Sequence, residues 1–488
     1  MPDSQPQQPS SRGPRPGDGR SEPASLVLCG ARLTDGRTVD VRLNAGRITA
    51  VTPAGARPAP TPATRIDLHG HLLLPAPVEP HAHFDVALTA EGDGAGSGRG
   101  RAEGSSQPAG GACPLPGPAY QPGDIQRRAT EAALLQLGHG ATAMRSHVRV
   151  GGPHGLAGLQ ALLRARRSLH GLGELTTVAV AGVLTGRDGA EGRALLRDAV
   201  RMGASAVGGC PDLDPDPEGH ITALLELAAD CGCAVDLHLD GGAPKLLDRL
   251  ATLASELGVA VTVGPCGGLS RLPYESAARV AERLAGAGVG VICLPQGGCG
   301  MAGWRGGSGA ECEGGRGGGA GAECQVQVGR CCGLGPSVVA PVRLLGAAGV
   351  RLAAGSGALR DSARPVGRGD PLEAAFLLAA QHGLSPAAAY AAVSADARAL
   401  LGLPEVRIAP GFPAELLAVR GTDLSAALSL AYSRIVIHRG RVVARTSAVR
   451  EYCDSAVAAG FDLPRQVRVP GGGGSGGAGA DGDAGGGR

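Results

Sequence analysis

Short apolar runs alternate along the chain with stretches whose apolar residues recur at helical spacing. The strand-length runs are His71–Val78, Ala141–Val148, Leu175–Val183, Ala204–Cys210, Ala234–Leu239, Val259–Val263, Val289–Leu294 and Val350–Ala354. Leu156–Leu169, Ala190–Met202, Ile221–Cys231 and Leu246–Leu257 have helical spacing between them. A run that is apolar at successive positions is buried on both faces, as parallel strands covered by helices are. Eight such strands, each with its helix, predict an α/β fold of the (β/α)8 TIM-barrel type in preference to an open sheet.

The two flanks break this alternation. Leu26–Leu33, Val39–Leu43 and Arg47–Val51 are short strands separated by turn residues, and so are Leu416–Val419, Arg434–His438 and Arg441–Val443, with Arg439-Gly440 as a tight turn. Both flanks are expected to pair into one small composite β-sandwich, residues 24–70 plus 404–450, beside a barrel spanning 71–403. Low-complexity sequence fills 92–118 and 297–335 inside the barrel and 471–488 at the end. Its Gly, Ser and Ala content does not offset ordering entropy, so two flexible insertions and a disordered tail are expected, with a disordered arm over 1–23.

Composition narrows the function classes. With 46 basic against 44 acidic residues and 2% aromatics, the chain offers neither an electrostatic footprint nor stacking platforms for nucleic acid. The first residues lack an apolar run of signal-peptide type, and no apolar stretch reaches the roughly 18 residues of a membrane span. Thirteen cysteines are scattered, several within strand-like runs, which suits reduced thiols in a cytoplasmic protein better than a disulfide framework.

Active sites of such barrels lie at the carboxyl ends of the strands. The first strand leads into Pro80-His81-Ala82-His83-Phe84-Asp85, and residues two apart share a face, so His81 and His83 point together into the barrel mouth. The fifth strand ends Asp236-Leu237-His238-Leu239-Asp240 and brings a third histidine to the same rim. Three imidazoles suit one divalent metal, zinc or iron, and leave a position for a water whose pKa the ion lowers. His147, ending the second strand, either lines the substrate pocket or supports its wall.

These segments, with Arg145-Ser146-His147-Val148, Pro410-Gly411-Phe412-Pro413-Ala414-Glu415-Leu416 and Gly440-Arg441-Val442-Val443, resemble the amidohydrolase superfamily, in particular its cytosine-deaminase-like branch. The resemblance runs in the expected order from about Leu26 to Val443. It implies a barrel, a mononuclear metal centre held by His81, His83 and His238, and hydrolysis of a C–N bond in a cyclic amidine or amide. A small-molecule substrate follows, and homo-oligomers are common among such barrels. Binuclear relatives bridge two metals with a carbamylated lysine ending the fourth strand. The only lysine here, Lys245, follows the fifth strand, so a centre of that kind is excluded.

The sequence departs from the branch at three places. The glutamate expected three residues after the fifth-strand histidine is Gly241, the sixth-strand histidine is Pro265, and the eighth-strand aspartate is Gly357. Asp240 and Asp361 are the nearest carboxylates and the candidate proton carriers. The substrate-reading segment after the fourth strand, Gly209-Cys210-Pro211-Asp212, offers Asp212 in place of the glutamine of true cytosine deaminases. Loss of acid–base help costs about 10²–10⁴-fold per group. The alternative expectation is therefore a catalytically impaired homologue that keeps the barrel for binding or assembly.

Overall fold

The computed structural model describes residues 25–56, 63–90, 121–152, 155–297, 338–361, 364–430 and 432–448. The N-terminal arm, the Gly-rich tail, the insertion expected at 92–118 and all but Gly297 of that at 297–335 lie outside the described residues. Strands β1 (Ser25–Arg32), β2 (Thr38–Asn44), β3 (Arg47–Pro53), β4 (Ala63–Asp67) and β5 (His71–Pro75) come from the first flank. Eight parallel strands then follow in strict order: β6 (Val78–Ala82), β7 (Ala143–Arg149), β8 (Glu174–Val180), β9 (Ala206–Gly208), β10 (Ala234–Leu239), β11 (Val261–Pro265), β12 (Gly290–Cys293) and β13 (Leu352–Ala354). Each is followed by a helix: α1 (Pro122–Gly138), α2 (Ala157–Ser168), α3 (Gly189–Met202), α4 (Pro217–Cys231), α5 (Pro244–Leu257), α6 (Tyr274–Gly286), α7 (Val342–Ala347) and α8 (Pro371–His382). A parallel bridge between Ala82 and Gly357, with the Gly357 amide donating to the His81 carbonyl at 3.1 Å, links the first barrel strand to the segment after the last. The predicted (β/α)8 barrel is present.

The burial pattern explains the apolar runs. Nearly every residue of β7, β10 and β11 is buried, because the helices cover one face and the barrel interior the other. Helix starts are written locally: Asp216 caps α4 by accepting from the Gly219 amide, and Asp370 caps α8 by accepting from that of Leu372, each just before a proline.

One expected strand divides in two. The run His71–Val78 was the expected first barrel strand, but Pro75 and Pro77 interrupt it, and His71–Pro75 joins the flank sheet while Val78–Ala82 opens the barrel. The flank sheet also takes β14 (Leu416–Arg420), β15 (Arg434–His438) and β16 (Arg441–Thr446), in the order β16-β15-β14-β5-β1-β2-β3, with β4 beside β1. β14 lies antiparallel between β5 and β15, so the two flanks meet at the Leu416–Pro75 register. The β3 edge is met in turn by the segment leading into β14, where the Ile48 amide donates to the Phe412 carbonyl at 2.9 Å. The pleat sorts this sheet's side chains. Leu73, Leu416, Ala418 and Ile437 face its own core, whereas Leu72, Leu74, Leu417 and Val419 pack into the barrel's.

Five described cysteines, Cys29, Cys231, Cys233, Cys266 and Cys293, are free thiols as expected; Cys210 departs from that expectation and is disulfide-bonded. Among the described residues no helix is long and apolar enough to cross a membrane.

Candidate metal centre

His81 lies one residue before the end of the first barrel strand, and the chain that carries His83 past it is pinned from three sides. The Phe84 amide donates to Ser146 Oγ at 2.9 Å, the Arg149 amide donates to Asp85 Oδ2 at 3.2 Å, and Arg128 donates to the carbonyls of Ala87 and Asp85. His147 comes from β7 and His238 from β10. These four histidines are 0–2% exposed, and one donor atom from each lies within 4.8 Å of the others. His83 Nε2 and His238 Nε2 are 3.2 Å apart. Both ring nitrogens of His81 and of His147, and Nδ1 of His238, have no hydrogen-bond partner among the described residues.

Beneath the imidazoles lies a layer of charge. Each of three cluster histidines is preceded two residues earlier, on the same face of its strand, by a charged residue: Glu79 before His81, Arg145 before His147, Asp236 before His238. Arg145 Nη1 lies 3.2 Å from Asp236 Oδ2, and His147 Nε2 lies 3.4 Å from the same oxygen. Glu79 accepts from the Ser356 amide, the Ser356 hydroxyl and the His81 amide. These charged residues were not singled out from the sequence, although the repeated charged-x-His spacing carried the signal.

The electrostatics follow from burial. Removal from water pushes His81 down to about 3, reinforced by His147, and holds His83 and His238 well below the ordinary imidazole value. Burial pushes Glu79 up to about 7 against its hydrogen bonds. Burial also opposes ionisation of Asp236, but His147 and Arg145 outweigh it and hold that carboxyl well below the usual range. The result at His81, His83 and His238 is a set of buried imidazoles held neutral, with both His81 nitrogens and His238 Nδ1 free of a hydrogen-bond partner among the described residues. That donor set fits a divalent transition ion of zinc or iron type and not an oxygen-seeking magnesium or calcium.

The remaining sequence-predicted residues lie outside this cluster. Asp240 Oδ2 is 3.4 Å from Arg271 Nη1, and Asp361, 1% exposed, accepts from the Arg364 amide at 2.8 Å. Asp212 accepts from the Asp240 amide at 3.3 Å, and burial raises its carboxyl. Two of the three departures, Gly241 and Gly357, are built into the backbone. Gly241 has φ +80° and Gly357 φ +69°, conformations a larger side chain resists, and a Cβ at Gly241 would meet Leu269 Cγ at 3.2 Å. Lys245 lies exposed in α5.

Fold and cluster together define a (β/α)8 barrel protein with a buried imidazole centre at the carboxyl ends of its strands. The amidohydrolase family model matches residues 86–444, and the chain belongs to the amidohydrolase family, whose chemistry is metal-dependent hydrolysis of C–N bonds. A pterin deaminase of Rhizobium rhizogenes is 25% identical over 442 residues, 86% of this chain and 91% of that protein. An N-isopropylammelide isopropyl amidohydrolase of a Pseudomonas species is 27% identical over 230 residues, 45% of this chain and 54% of that protein. Among solved structures, a 5-methylcytosine deaminase from Klebsiella pneumoniae superposes with a TM-score of 0.67 at 24% identity, covering 88% of this chain and 99% of that one. An N-isopropylammelide isopropylaminohydrolase from Burkholderia multivorans gives 0.68 at 23%, covering 88% and 100%.

Proposed function

We propose that the chain is a mononuclear metal-dependent amidohydrolase that deaminates a cytosine-like or other cyclic amidine or amide, with His81, His83 and His238 holding the ion. The observation that carries this reading is the convergence of buried imidazoles, of which His81 has no hydrogen-bond partner at either ring nitrogen and His238 none at Nδ1 among the described residues. A divalent ion held there supplies water activated near neutral pH for attack on a ring carbon. Burial keeps the imidazoles in the neutral state that ligation needs. The Phe84–Ser146 bond and the Asp85 clamp orient the segment that carries His83. His147 and Asp212 are assigned to face the substrate. Asp240 and Asp361 are assigned to move protons, and each must first loosen its present contact, with Arg271 or with the Arg364 amide. The pterin deaminase and the 5-methylcytosine deaminase support a nitrogen heterocycle as the substrate class.

A second reading, an impaired homologue that binds without turnover, draws on Gly241, Pro265 and Gly357, two of which have φ values suited to glycine. Metal content per chain separates the readings when joined to an ammonia-release screen. Protein loaded with zinc or iron and desalted is compared with a His81→Ala/His83→Ala/His238→Ala variant, then assayed on cytosine, 5-methylcytosine and pterins. One metal, lost in the variant, with ammonia release supports the hydrolase. Metal without ammonia release across the panel supports the second reading, and no metal in the intact protein overturns the first.

A further inference from the structure

We infer that His147 is the fourth ligand of the centre, so that its last corner is filled from the second barrel strand and not from the eighth. The inference rests on the metal-centre reading above and goes beyond it, since that reading gives His147 to the substrate.

The eighth strand has nothing to offer. Gly357 carries no side chain, the Ser356 hydroxyl is turned to Glu79, and Asp361, whose Oδ1 accepts from the Arg364 amide, is not among the clustered donors. His147 is placed where the missing group would be needed. Its ring centroid lies 4.2 Å from that of His81, 4.5 Å from that of His238 and 5.3 Å from that of His83. It is 1% exposed, and neither ring nitrogen has a hydrogen-bond partner among the described residues. The Asp236 carboxylate faces Nε2 at 3.4 Å, beyond a full hydrogen bond, and Nδ1 has no neighbour of this kind among the described residues; such a buried imidazole is costly unless something else takes a lone pair.

The geometry is close to that of a bound centre. A tetrahedral ion with the usual metal–nitrogen bond lengths has donor–donor edges of about 3.3 Å. The His83–His238 nitrogen pair, at 3.2 Å, already has that spacing, and all four donors fall within 4.8 Å. Asp236 sits 3.4 Å from His147 Nε2, which gives the ring the carboxylate neighbour that orients metal-binding histidines. Arg145 is on the same face of β7 as His147 and holds Asp236 in place.

Two chemical consequences follow. Four imidazoles select nitrogen-loving ions over magnesium and calcium. Four protein ligands also close the shell, as in structural sites, so a substrate water enters only by expansion to five ligands or by release of one imidazole.

The test uses full-length protein and metal alone. Wild type, His147→Ala and His147→Gln are titrated with Co²⁺ and Zn²⁺, and the visible cobalt bands are recorded. The expected result is one ion per chain, an affinity loss of at least about 100-fold in both variants, and altered cobalt bands. Added free imidazole should return the His147→Ala bands toward those of wild type. X-ray absorption of zinc-loaded wild type, which needs no variant to fold, should count four imidazoles. Unchanged affinity and bands in both variants, or three imidazoles, overturn the inference while leaving the metal centre standing. Failure of wild type to bind either ion removes both.

Discussion

Asp236 Oδ2 lies 3.2 Å from Arg145 Nη1, and both side chains are shut inside the barrel. Removing one member of such a pair strands a charge, which costs about 3–5 kcal/mol, whereas replacing both with apolar groups of like volume is far milder. Asp236→Asn is expected to lose stability in that range in urea unfolding. An Arg145→Met/Asp236→Leu double variant should recover part of the loss. A double variant no better than the sum of the singles would show the pair to be uncoupled.

Gly241 invites an attempt to restore the missing glutamate. Its φ of +80° makes any side chain strained, and the new Cβ would meet Leu269 Cγ. Gly241→Glu should therefore destabilise by about 1–2 kcal/mol and bring no gain in ammonia release. Thermal unfolding beside the substrate screen measures both.

Asp214 predicts an acid-sensitive component of stability. Its carboxylate accepts from the Leu184 and Asp216 amides at 2.8 and 3.1 Å and from the Thr185 hydroxyl, and it meets His220 Nδ1 at 2.9 Å. Burial alone raises the carboxyl, but His220, Thr185 and these amides outweigh it and hold it well below its ordinary 3.8. The native state therefore releases this proton more readily than the unfolded chain. The contribution is complete above the unfolded value and is lost as pH falls toward the depressed native one. The stability gap between wild type and Asp214→Asn should be widest at neutral pH and narrow below about pH 4, as urea unfolding at a series of pH values would record.

Arg434 joins the flank sheet to the barrel through a two-pronged bond. Its guanidinium donates to both oxygens of Asp370, at 2.8 and 2.6 Å, and to the His139 carbonyl at 2.6 Å, while Asp370 also caps α8. Arg434→Lys keeps the charge but loses the fork. It should destabilise measurably, and Arg434→Ala more, by about 3–5 kcal/mol, because Asp370 is left buried and unpaired. A Tm for Arg434→Lys equal to that of wild type would show that the fork adds nothing.

The barrel was legible because its strands are buried on both faces and read as unbroken apolar runs. The boundary at Pro75 was not, since apolar periodicity says that a strand exists and not which sheet it joins; the β14 partner that claims His71–Pro75 lies at the other end of the chain. His81 and His83 were legible as a pair because i, i+2 spacing sets a shared face, and His238 joined them because the carboxyl ends of parallel barrel strands share one rim. The Glu79, Arg145 and Asp236 layer was not, because a lone charge in an apolar strand looks like an exception until its partner on another strand is known. Gly241 and Gly357 read as missing side chains in the sequence, and their φ angles recast them as a different backbone.

The pairing of β14 with β5 sets an order of events during synthesis. β5 leaves the ribosome early but has no antiparallel neighbour until Leu416–Arg420 has been made, after every strand of the barrel. Until then Leu72 and Leu74 stand on a strand that lacks this partner, a sticky surface on a nascent chain. Release of the last strands is thus the step at which β5 gains its antiparallel partner and the flank sheet can close.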